Sequence, residues 1–117
     1  MNMKKMVSEK AMIRVRTVGH DEPTQFEVVV QDWSGETHYQ VTMSQVDFKS
    51  LGRETAAPEE CVRAAFMFLL DREPKGSILR RFDVSVIERY FPDFRREFPR
   101  YLDAARSSLQ AGAGTSA

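Results

Sequence analysis

Two histidines, one cysteine and six arginines crowded between Ser77 and Arg100 are the residues on which chemistry could draw. The run His20-Asp21-Glu22 has metal-binding residue types. A tight site, however, takes three or four convergent ligands backed by a second layer of hydrogen bonds. Neighbouring residues in a turn point in different directions, and His38 falls on the wet side of another segment, so these read as solvated polar groups. Cys61 opens an apolar helical run with no histidine near it in sequence. A helix N-terminus lowers a thiol pKa, but apolar surroundings favour a core thiol. The pairs Glu59-Glu60 and Asp21-Glu22 are chain neighbours suited to helix-start charge and turn solvation. There is no glycine-rich phosphate loop, since "GAG" near the end has no helix after it. No catalytic, cofactor-binding or metal-ligating residue is therefore expected, and the chain reads as non-enzymatic.

The stretch "SILRRFDVSVIERYFPDFRREF" (77–98) alternates arginines with aromatic rings. Between Lys75 and Arg106 there are eight basic and five acidic residues. Arg80, Arg81, Arg89, Arg95, Arg96 and Arg100 have the makings of a phosphate-binding face, with Tyr90 or Phe91 as a stacking surface. Against this, Phe94, Phe98, Tyr101 and Leu102 form one helical stripe of the kind that faces a core. Asp93–Arg96, Glu97–Arg100 and Arg100–Asp103 are spaced to neutralise much of the charge by i,i+3 pairing. The whole chain has 17 basic and 17 acidic residues and so no net charge. Nucleic-acid binders draw most of their non-specific affinity from a basic excess, which is absent here.

Trp33 sits in "DWSG" (32–35), a turn between two alternating segments. Two readings stand for it: a ring folded back over a sheet edge, or an exposed anchor of the type enriched at protein interfaces. Open sheet edges invite pairing with a second copy or an extended peptide.

The elements that hold these residues follow from periodicity. Residues 11–18, 24–31 and 36–43 alternate apolar and polar side chains and are joined by short turns, predicting a three-stranded antiparallel meander with one apolar face. Ser44 and Asp47 approximate a capping box for a helix over 45–51, closed at Gly52. Pro58 suits the first position of a helix over 58–72, whose run "CVRAAFMFLL" is apolar nearly all round and belongs across the sheet. Asp83 is a candidate cap for a helix over 84–90, with Phe82 and Ile87 as its staple, and Pro92 starts the last helix, 92–106. The fold class is α+β, a β-meander covered on one face by a helical layer. One domain spans 11–106, between a mobile arm (1–10) and a disordered tail (107–117).

Composition is 42% hydrophobic and 29% charged, ordinary for a globular protein. A single cysteine makes no internal disulfide. No run reaches the roughly 18 apolar residues of a membrane span, and "MNMKKMVSEK" has no apolar stretch behind its lysines, so the expected address is the cytoplasm.

The segment "FMFLLDREPKGSILRRFDVSVIERYFPDF" resembles a group of small uncharacterised bacterial proteins. These carry an F-x-F-L-L-x-R-E-P-x-x-S-I-L-x-x-F-D-x-x-V-I-x-x-Y-F-P-x-F pattern after a short meander. The resemblance covers roughly 36–98, implies a bacterial source and a β-then-α layout, and carries no activity with it. Gly76 departs from the pattern's helical character. The function expected is a protein-interaction or regulatory module. Its partner would be an unidentified protein, or a second copy through a sheet edge, with Trp33, Arg80, Arg81, Arg89, Arg95 and Arg96 as contact residues. Nucleic-acid binding through the C-terminal arginines is the alternative, and no membrane partner is expected.

Overall fold

The computed structural model describes residues 11–52 and 56–116, with side chains as far as Ser107. The expected mobile arm, 1–10, lies outside the described residues, as does most of the 53–57 linker. The fold is α+β, with a sheet of order β1-β2-β3-β4 carrying its helices on one face. Strands β1 (Met12–Gly19), β2 (Thr24–Asp32) and β3 (Gly35–Met43) form the expected antiparallel meander. The expectation of three strands needs one correction. Arg81–Asp83 forms a short β4, parallel to β3 through Gln40↔Arg81, Val41↔Phe82 and Thr42↔Asp83. Three residues are too few for alternation to signal a strand; β4 forms because the chain returning from the central helix passes the free edge of β3.

Helices follow as α1 (Gln45–Leu51), α2 (Pro58–Leu70), α3 (Ile87–Tyr90) and α4 (Phe94–Ser116), with 3-10 turns at Lys75–Ser77 and Val84–Val86. Ser44 caps α1, its Oγ accepting the Asp47 N–H at 3.0 Å. α2 starts with Pro58, and Glu60 accepts the backbone N–H of Ala57 at 2.7 Å. Asp83 accepts the N–H of Ser85 at 3.0 Å, so its capping role is real but serves a 3-10 turn; the expected helix 84–90 is split at Val86. α4 begins two residues after Pro92 and carries Pro99 as its sixth residue, where the missing N–H leaves the Arg95 carbonyl without its helical donor. Its backbone stays helical through Ser116, past the expected boundary at 106 and into the stretch read as a tail.

The core lies between the inner sheet face and α2. Phe26, Val28, Val30, Tyr39, Val41 and Met43 are buried from the sheet, and Val62, Ala65, Phe66 and Leu69 from the helix. Each fully buried large side chain contributes roughly 1.5–3 kcal/mol. Phe68 points instead to α4 and makes edge-on contacts with Phe94 (5.0 Å), Tyr101 (5.5 Å) and Phe91 (5.8 Å). The stripe Phe94, Phe98, Tyr101, Leu102 and Ala105 is buried as its spacing predicts. The outer face of the sheet is polar, with Arg16 paired to Glu27 and Arg14 to Glu36.

Candidate functional site

Asp32 and Gly35 are opposed in the β2–β3 ladder, so the connection between them is only Trp33 and Ser34. Gly35 has φ +122°, a region open to glycine and strained for other residues. Asp32 folds its carboxylate over the turn and accepts the backbone N–H (2.8 Å) and Oγ–H (2.7 Å) of Ser34. The ammonium of Lys75 reaches in from the 3-10 turn after α2 and donates to Asp32 Oδ1 at 2.7 Å and to the Gly35 carbonyl. The hydroxyl of Tyr39 donates to the Lys75 carbonyl at 2.6 Å. Burial works against ionisation of Asp32, but hydrogen bonds from Lys75 and Ser34 outweigh it and hold the carboxyl below its usual range. The tip is thus fastened to the helical layer by a nearly buried ion pair.

What the clamp presents is Trp33, a residue 80% exposed. The alternative of a ring folded over the sheet edge is excluded. A large aromatic on a turn with few remaining backbone freedoms meets a partner with little entropy left to lose.

The six sequence-derived candidates do not form one surface. Arg80 and Arg81 lie at the β3–β4 side of the sheet, where both line a hollow with His38 and Gln40 and Arg81 also lines one with Arg16 and Gln25. Both are exposed, and neither has an ion pair among the described residues. Arg89 is likewise exposed on α3. Arg95 is engaged: its Nε donates to Glu88 and its guanidinium to Ser50 Oγ, both at 2.8 Å, with Asp47 at 3.6 Å. It fastens α1 and α3 to α4. Arg96 stands beside Glu97 at 3.5 Å, and Glu97 binds Arg100 at 2.6 Å. Asp93 goes to Arg72 at 2.8 Å rather than to the expected Arg96, and Arg72 in turn lies over the ring of Phe68.

Tyr90 and Phe91 do not stack with the arginines of the sheet. They line an apolar hollow of about 180 Å³ with Leu69, Ile78, Leu79 and Ile87. Leu79 and Tyr90 form its exposed rim. His20 is in the bend after β1 and His38 is on the outer face of β3 near Glu36 (3.3 Å) and Glu27 (3.9 Å). Cys61 is buried, and burial pushes its thiol up to about 12, Glu60 adding to the shift. Among the described residues no three His, Cys, Asp or Glu side chains converge as metal ligands, and no helix is long and apolar enough to cross a membrane. Lys75 is the residue that sequence reasoning missed. Its signal was weak: a lysine in a breaker sequence, 43 positions from the carboxylate it pairs with.

No family model, curated protein or solved structure matches this chain.

Proposed function

We propose that the chain is a non-enzymatic protein-interaction module that anchors its partner through Trp33. The observation that carries this reading is a tryptophan 80% exposed on a turn held by a nearly buried ion pair. An unfastened loop would lose much of its binding energy to ordering; this one is already ordered. Tryptophan is also among the residue types that dominate interface energetics when a pocket receives them. The exposed Arg80, Arg81 and Arg89 supply polar contacts around the anchor's host domain rather than a continuous phosphate track. The neutral balance of the chain supports the same choice over nucleic acid.

Trp33 is the only tryptophan, so its fluorescence reports on the site directly. The test isolates stoichiometric partners from the native source and compares wild type with Trp33→Ala. The expected result is a partner lost by the variant and an emission blue-shift in the wild-type complex. A partner retained in full by Trp33→Ala, or a complex with unshifted emission, would overturn the proposal.

A further inference from the structure

The direction of the backbone groups in β1 follows from one hydrogen bond. The N–H of Gln40 donates to the Arg80 carbonyl at 2.8 Å, so the backbone of Gln40 faces β4. Alternation then turns Tyr39 and Val41 toward β2, where they oppose Val28 and Phe26. Glu27 and Val29 must therefore bond toward β1, to Arg16 and Arg14. What remains for the outer edge of β1 is the N–H and C=O of Ile13, Val15 and Thr17. No described residue bonds to them.

Natural sheets blunt such an edge with a proline, a bulge, a cover or charged side chains. β1 has no proline, and its one irregularity falls at its end, between Thr17 and Gly19. Its outer flank carries the basic side chains. Arg14 and Arg16 stand on the outer face, both exposed and joined to Glu36 and Glu27 only by surface pairs of small net worth. On the helical side, Glu59 of α2 accepts the hydroxyl of Thr17, which places that flank of α2 along β1. Arg63 and Met67 follow on the same flank, one and two turns later. Arg63 is half-buried and has no ion-pair partner among the described residues. Burial lowers its pKa.

We infer that the open edge of β1 docks an extended segment of a partner protein that carries acidic side chains at alternate positions and joins the sheet as an added strand. The backbone groups of Ile13, Val15 and Thr17 supply the ladder, Arg14 and Arg16 on the outer face supply the charge preference, and Arg63 and Met67 border the other face. A second copy fits less well. Antiparallel self-pairing centred on Val15 would set Arg14 opposite the partner's Arg16 twice, and like charges directly opposed destabilise a ladder. The site lies away from the hairpin tip, so this inference goes beyond the Trp33 reading. Indole emission reports that reading and β1 amide exchange reports this one, so failure of either is seen separately.

The test adds a heptapeptide alternating Glu and Val to the full chain, with a Lys/Val peptide as control, and follows amide exchange and peptide anisotropy. The Glu/Val peptide should bind and protect the amides of Ile13, Val15 and Thr17, and the Lys/Val peptide should not. Arg14→Glu with Arg16→Glu should weaken binding by roughly tenfold or more. Val15→Pro removes an outward donor while keeping the β1–β2 bonds, and should abolish binding with an unchanged circular dichroism spectrum. If that variant unfolds, the arginine pair carries the test. Equal response to both peptides, no added protection at the three amides, or indifference to the arginine reversal would overturn the inference. So would protection of these amides that grows with protein concentration alone, which would make a second copy the occupant.

Discussion

Lys75 Nζ lies 2.7 Å from Asp32 Oδ1, and the two side chains are only 12% and 7% exposed. This contact joins the only hairpin tip with an exposed tryptophan to the turn that follows the central helix. Removing either partner leaves a charge with little water to receive it. Lys75→Met should destabilise the fold by about 2–3 kcal/mol, somewhat below the cost in a deep interior because the cover is thin. Chemical denaturation measures this directly, and a loss under ~0.5 kcal/mol would show that the tip is not held by the pair.

The same carboxylate makes stability depend on acid. Its pKa is lowered in the folded state, by Lys75 and Ser34 against the opposing effect of burial. Its contribution is therefore complete above the unfolded value of about 3.9 and is lost as pH falls through the lower folded value. Asp32→Asn should flatten the stability profile below about pH 4 relative to wild type. Parallel acid-unfolding curves for the two proteins would contradict this.

Arg95 and Arg89 separate structural from free arginines. Arg95 spans Ser50, Asp47 and Glu88, whereas Arg89 is exposed and has no ion-pair partner among the described residues. Arg95→Ala should cost about 1 kcal/mol because three elements lose a common donor, and Arg89→Ala should stay within about 0.5 kcal/mol. Equal thermal midpoints for the two variants would refute the distinction.

That contrast also marks how far the sequence was legible. Alternation exposed β1, β2 and β3, and the apolar run at 61–70 placed α2, because one buried face imposes a period that single residues reveal. β4 was invisible, since it owes its existence to the path of the chain past β3 and not to its own three residues. The candidate site was read unevenly for the same reason. Trp33 stood out by its type and its turn, but the turn beneath it is fastened by Lys75, which no local pattern connects to Asp32. Arg95 looked identical to Arg89 in sequence; only the packing of α1 beside α4 gives one of them partners.

The seam between α1 and α2 gives the last prediction. Gly52 closes α1 with φ −82°, a value any residue adopts, so its small size rather than its backbone freedom matters here. A Cβ at this position would stand 3.0 Å from the Phe48 carbonyl and 3.1 Å from Cys61 Sγ. Gly52→Ala should therefore cost about 1–2 kcal/mol through crowding. Cys61 supplies a readout of the same seam. Its thiol, pushed up to about 12 by burial, should resist alkylation at pH 8 in the native protein and react only as the chain opens. Gly52→Ala should raise the alkylation rate in step with its loss of stability. Adding Cys61→Ala should give a double variant less destabilised than the sum of the two single changes, because the sulfur contact of the added methyl is then gone while that to the Phe48 carbonyl remains. A Gly52→Ala protein as stable as wild type, with an equally protected thiol, would show that the seam yields without cost.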